Sequence, residues 1–155
     1  MFQFLLSREV ARALRYRNFF SVCVMGIDAG RRDVGTRSGS VVRVVSGALD
    51  EKLRSTDAIG VLEAGFGVIL LHVSDQPAHR VAERLSIHIR EVAMPNNEAV
   101  HEPREPVLVS VGGACFPRHG QTAGAHISHA LECLHTARQL GGNRVVYDPE
   151  EPQGR

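Results

Sequence analysis

Lysine is almost missing from this 155-residue chain: of 18 basic side chains, only Lys52 is not arginine. What remains are planar, bidentate guanidinium groups suited to phosphate oxygens and to the acceptor edge of guanine. A codon bias that favours arginine produces the same excess, and composition does not separate the two. An excess of charge of one sign is missing as well. The formal net charge is +1, whereas a surface dedicated to a nucleic-acid backbone shows a strongly basic balance. Cysteine is scarce and odd in number. Cys23, Cys115 and Cys133 sit inside apolar runs, which argues against a disulfide framework and predicts small core residues in a reducing compartment. No apolar run is long enough to span a membrane, and the opening MFQFLLSREVARALRYR places its apolar residues before its charges, unlike a signal peptide. Together these absences predict one cytoplasmic domain without membrane insertion, and 43% hydrophobic content is enough for one core.

What is present is an alternation of helices and strands. Leu5, Val10, Ala13 and Leu14 recur at helical spacing with Arg8, Arg12 and Arg15 between them, predicting an amphipathic helix that ends near Arg17-Asn18. Phe20 to Ile27 is continuous, apolar and rich in β-branched residues, as in a buried central strand. Asp28 to Gly39 reads as a glycine-punctuated loop. Ser40 is placed to cap a second helix with Val41, Val42, Val45, Ala48, Leu49 and Leu53 on one side. Arg54 to Leu71 reads as a polar turn, a short strand, a tight turn from Glu63 to Gly67 and an apolar strand from Val68 to Val73, together a β-hairpin. Ser74 or Asp75 then caps a third helix with Pro77 in its first turn and the stripe Val81, Leu85, Ile89, Val92. Met94 to Pro106 is a polar, proline-rich connection, and Val107 to Cys115 a strand. His126 to Leu140 forms a last helix stopped by Gly141-Gly142, and Asn143 to Tyr147 a last short strand. The order predicts one α/β sheet with helices packed across it over residues 1–147, followed by a polar tail at 148–155.

The hairpin tip carries almost none of the charge that catalysis would need, but Arg54 and Asp57 stand just before it. A guanidinium can grip guanine O6 and N7, or a phosphate, with two hydrogen bonds. A carboxylate can accept from guanine's ring N1 and its exocyclic amine. Arg80 and Arg84 lie four apart and share a side of their helix. Taken alone, Arg-x-x-Asp is a common accident and reads equally well as a surface ion pair. His126, His129 and Cys133 fall near one helix face with His135 close by, but no Cys-x-x-Cys or His-Glu-x-x-His accompanies them, so neither metal nor cofactor is expected. Ser110 and His119 have no acid partner at a position that suggests a hydrolase triad.

Three phrases, in order and at matching spacing, carry a resemblance over nearly the whole chain, from Leu5 to Tyr147. They are RALRYRNFFSVCVMGID, VLVSVGGACFPRHG and HALECLHTARQLGGNRVV, and they resemble the GGDEF domain of diguanylate cyclases. The resemblance implies a central, mostly antiparallel sheet of about five strands flanked by helices. It also implies a reaction joining two GTP molecules into cyclic di-GMP, with metal ions held by carboxylates on the first strand and the hairpin tip to neutralise the transferring phosphoryl group.

The chain departs from that pattern where chemistry is done. Gly26 stands at the first acid of the family's Asp-x-Asp, leaving Asp28 alone. Glu63-Ala64-Gly65-Phe66-Gly67 stands opposite the signature, so the metal-binding acid matches Gly65 and the following acid Phe66; shifting the register by one puts Ala64 and Gly65 there instead. The loop after Asp28 is short, Arg138 replaces the closing lysine, and Gly142 replaces an arginine. Asp28 and Glu63 share a strand face if pairing persists, but metal geometry tolerates little displacement, so the chain is not expected to be an enzyme. The resemblance also implies an inhibitory site, Arg-x-x-Asp, five residues before the signature. Here Arg54 to Asp57 is followed by Ala58 to Leu62 and then Glu63, with Arg80 and Arg84 as supporting arginines. The leading expectation is a catalytically inactive regulatory domain that binds cyclic di-GMP, with the ligand joining two protomers or clamping a neighbouring domain. The alternative is a nucleotide-independent interaction module with an exposed apolar patch centred on Phe66. A third possibility is GTP binding without turnover.

Overall fold

The computed structural model describes residues 1–29, 32–33, 39–93 and 107–149. Burial along the strand Phe20–Ala29 (β1) sets the layering. Phe20, Val22 and Val24 are buried on one face, and Cys23, Met25 and Ile27 on the other. A strand apolar on both faces needs cover on both. On the first face lie helices Phe2–Tyr16 (α1) and Ala123–Gln139 (α4), through Phe2, Leu6, Val10, Ala130 and Leu134. On the second lie helices Gly39–Lys52 (α2) and Asp75–Ala93 (α3), through Val45, Leu49, Ala78, Ala82, Leu85 and Ile89.

The sheet between these layers adds strands Arg32–Asp33 (β2), Ala58–Val61 (β3), Phe66–Leu71 (β4), Val107–Phe116 (β5) and Val145–Val146 (β6). Its order is β3-β4-β1-β5-β6, with β2 paired to the end of β1. Every pairing is antiparallel except β5 with β6. This is the α/β sheet expected from the order of elements, with the mostly antiparallel pairing that the family resemblance implies. Gly60 and Gly67 pair directly across β3 and β4. A Cβ on them would lie 2.5 and 2.7 Å from the Phe2 side chain, so it is these two small residues that let the start of α1 lie flat on the sheet.

Several boundaries differ from expectation. β2 falls within the stretch read as a loop, because two paired residues are too short to leave a hydropathy signal. α4 starts at Ala123 rather than His126; the Thr122 hydroxyl accepts from the Ala125 amide at 3.0 Å, a cap that satisfies an otherwise orphan donor. α2 begins at Gly39, one residue ahead of the expected cap Ser40. The Met94–Pro106 connection, most of the loop after Asp28 and the end of the C-terminal tail lie outside the described residues. Among the described residues, no helix is long and apolar enough to cross a membrane.

Candidate ligand site and hairpin face

The segment between α2 and β3 is a tight turn whose two ends hold each other. The Asp57 amide donates to the Arg54 carbonyl at 3.0 Å, and the Arg54 amide donates to Asp57 Oδ2 at 3.0 Å. The Asp57 side chain is only 3% exposed and also accepts from the Leu71 amide at 3.2 Å, which ties the turn to the end of β4. The Arg54 guanidinium, 55% exposed, rests against the same carboxylate with Nε and Nη2 each at 3.4 Å, and Nη2 donates to the Leu71 carbonyl. Contacts of 3.4 Å are long for a charge-assisted pair, whose optimum is about 2.7–2.9 Å. The backbone bonds of Asp57 therefore fix its place, while its guanidinium contacts are the longer and weaker ones.

A groove of about 610 Å³ opens beside this turn, against α3. Its floor includes Leu70, Val81 and Leu85, and Arg54, Asp57 and Arg84 converge on it. Arg80 does not join them. It lines a separate cavity of about 480 Å³ with Asp75, His79, Arg118 and Asp148. The four-residue spacing places both arginines on one side of α3, but the groove meets α3 only from Val81 onward. The sequence reading also passed over Lys52 and His88, which line the groove too. His88 Nε2 lies 2.8 Å from Glu51 Oε2, joining α3 to α2.

On the other side of the molecule, the first-strand position of interest is occupied from within. Arg138 on α4 donates from Nε to Asp28 Oδ2 at 3.3 Å and from Nη2 to Oδ1 at 3.1 Å. Its guanidinium lies over Gly26, where a Cβ would come 2.3 Å from Nη2. At the hairpin tip, Leu62 and Gly65 exchange backbone hydrogen bonds of 2.8 and 3.3 Å around Glu63 and Ala64. Gly65 packs onto β1 so closely that a Cβ would lie 2.1 Å from the Met25 carbonyl oxygen. The β1–β4 ladder stops at Met25 opposite Phe66. It does not reach Asp28 and Glu63, so the pairing that would align those acids is not there; Asp28 pairs with Leu108 and Asp33 instead. Glu63 is exposed and Ala64 half-buried. Phe66 corrects the expectation of a surface patch. It opens β4 with its ring fully buried among Met25, Val68 and the helices α2 and α3, because strand alternation turns it inward. Gly67 lies opposite Val24 and beneath Phe2.

The helical histidines take separate places. His126 is buried between Phe20 and Phe116, with Nδ1 donating to the Thr122 carbonyl at 2.7 Å, and burial lowers its pKa. His129 donates from Nε2 to the Tyr147 carbonyl at 2.8 Å and stacks on His119 at 4.0 Å. His119 Nδ1 accepts from the Cys115 amide at 2.8 Å. Burial, then the neighbouring His129 and Arg118, pull its pKa down to about 4. Cys23 and Cys133 are pushed up to about 12, chiefly by burial, as core thiols are. Among the described residues, no group of three or more His, Cys, Asp or Glu converges to hold a metal ion.

The family model described as "Diguanylate cyclase, GGDEF domain" matches residues 1–144. No curated protein matches the chain. Among solved structures, the chain is similar to the GGDEF domain of DgcB from Caulobacter crescentus in complex with c-di-GMP, with a TM-score of 0.80 at 19% identity over 97% of this chain and 89% of that one. It is similar to the active GGEEF domain of a diguanylate cyclase from Vibrio cholerae, with a TM-score of 0.73 at 16% identity over 92% and 90%. It is also similar to the diguanylate cyclase SiaD from Pseudomonas aeruginosa, solved with its activator SiaC, with a TM-score of 0.77 at 24% identity over 96% of this chain and 57% of that one. At these identities the structures speak to fold, which is the one built above from burial and register. With the family model spanning residues 1–144, the chain belongs to the GGDEF domain family.

Proposed function

We propose that this GGDEF domain does not make cyclic di-GMP but binds it, through Arg54, Asp57 and Arg84, as a cytoplasmic regulatory receptor. The observation that carries this reading is the convergence of those three side chains on one groove of about 610 Å³, a volume in the range of small-molecule sites. On binding, guanine N1–H and its exocyclic amine take over the carboxylate contacts that Arg54 makes loosely. Asp57 keeps its bonds to the Arg54 and Leu71 amides. Arg54 then exchanges its contacts to the carboxylate and to the Leu71 carbonyl for a base edge or a phosphate, opposite Arg84. A ligand with two guanines and two phosphates uses an acid and two arginines fully. Arg80, on its separate cavity, has no part in this site.

On the other side of the sheet, the places where turnover would need acids are filled by other groups. Metal-assisted phosphoryl transfer needs carboxylates at both positions that the family resemblance assigns to Gly26 and Gly65. Those places are taken by the Arg138 guanidinium and the Met25 carbonyl, and the remaining acid Asp28 is neutralised by Arg138. A protein-interaction role centred on an exposed Phe66 has no support, since that ring is buried.

The test is a panel of affinities for cyclic di-GMP. Arg54→Ala and Arg84→Ala should each weaken binding by about tenfold or more, the size expected for losing a charged hydrogen-bonding partner, and Arg80→Ala should leave it unchanged. Equal losses at Arg80 and Arg84, or no loss at Arg54, would contradict the site.

A further inference from the structure

His88 lines the same groove as Arg54 and Arg84, one helical turn beyond Arg84 on α3. Its side chain is 17% exposed, and its Nε2 is held at 2.8 Å by Glu51, whose own side chain is 64% exposed at the end of α2. A recessed side chain that lines the groove thus has its Nε2 paired with an anion that stands mostly in water. Such an anion is held weakly and can leave with little loss, because solvent replaces what it gives up.

Resting on the cyclic di-GMP reading above, we propose that His88 is a third phosphate-directed ligand of this site and that Glu51 is its resident competitor, displaced when a ligand phosphate arrives. The phosphodiester oxygen accepts the His88 N–H that Glu51 accepts in the free protein. The other charges lining the groove fit this exchange. Lys52 from α2, Arg54 from the following turn and Arg84 from α3 favour an anion in the groove, whereas Asp57 and Glu91 oppose one. β4 contributes the apolar Leu70. Asp57 is engaged by its own turn and by Leu71. Glu51 is therefore the acid whose departure both frees a donor and removes a repelling charge.

The two ends of this bridge should act on affinity in opposite directions. If Glu51 and His88 only clamped α2 to α3, removing either end would change binding alike. As competitor and ligand they differ. Glu51→Gln should tighten cyclic di-GMP by about threefold at low salt, an advantage that fades as salt screens it. His88→Ala should weaken binding by about five- to tenfold, as expected on losing one charge-assisted contact. The experiment is calorimetric titration of the full chain and both variants with cyclic di-GMP at low and physiological ionic strength, with thermal melts confirming that each variant is folded. Opposite shifts support the proposal. Shifts of the same sign, or no shift at His88→Ala in a chain that binds, overturn it while leaving the Arg54–Arg84 site standing. No binding by the unaltered chain overturns both.

Discussion

Gly65 and Gly26 show how far a single missing Cβ reaches. Restoring an acid at Gly65 puts its Cβ 2.1 Å from a backbone oxygen of β1, and backbone cannot rotate away as a side chain can. Gly65→Asp is expected to destabilise the domain by about 3 kcal/mol, the upper part of the overpacking range, without conferring cyclic di-GMP synthesis. Gly26→Asp meets the Arg138 guanidinium, which is flexible enough to move, so it should fold; it too should not turn over GTP. Thermal melts and product analysis after incubation with GTP and magnesium check both, and a folded, active Gly65→Asp would contradict the reading of this face. The absence of acids was legible from the residues themselves. What fills their places was not, because Arg138 meets Asp28 across 110 residues of chain and only the packing of α4 on β1 brings them together. Phe66 departs from expectation for a related reason: a five-residue turn from Glu63 to Gly67 would leave its ring outside, whereas the strand opens at Phe66 and alternation buries the ring.

At the scale of elements, the turn between α2 and β3 combines a recessed acid with a half-exposed cation. Asp57→Ala would take the carboxylate acceptor away from the Arg54 amide and from the part-buried Leu71 amide. It should cost about 1–3 kcal/mol in chemical denaturation, against less than about 1 kcal/mol for Arg54→Ala, whose guanidinium is mostly in water. Similar costs for the two would mean that the carboxylate holds the guanidinium rather than the backbone. This asymmetry makes Arg54, not Asp57, the informative position for binding measurements. The hairpin, the four helices and the central strands were visible in hydropathy and in glycine and proline placement. The direction of α3 was not, since spacing gives two arginines a common side but not the point where the groove meets the helix. His88 could have been flagged with Arg84 by the same four-residue rule that paired Arg84 with Arg80.

Across the whole molecule, the seam between β5, α4 and β6 carries a pH dependence. The His119 pKa is lowered from 6.5 to about 4 in the fold, and that of His126 is lowered as well. The folded state thus binds fewer protons than the unfolded chain between these values. The stability contributed by neutral His119 is fully present above about pH 6.5, is lost as pH falls towards 4, and declines no further below that. The melting temperature should fall across this interval, and fall less steeply in His119→Gln; identical slopes would show that the ring's burial does not govern acid stability. This seam stands apart from the groove, so acid destabilisation and ligand binding can be measured separately. The family was legible from three phrases because they recur in order along the sheet and helices that the fold brings together. The site was legible only in part, as Arg54, Asp57 and Arg84 converge and Arg80 does not. The most direct measurement is calorimetric titration of the intact chain with cyclic di-GMP, in parallel with GTP plus magnesium and with Arg54→Ala as control. Saturable cyclic di-GMP binding that Arg54→Ala weakens by about tenfold or more, with GTP left unconverted, is the predicted result. No heat with cyclic di-GMP, or conversion of GTP to cyclic di-GMP by the unaltered chain, would contradict the account.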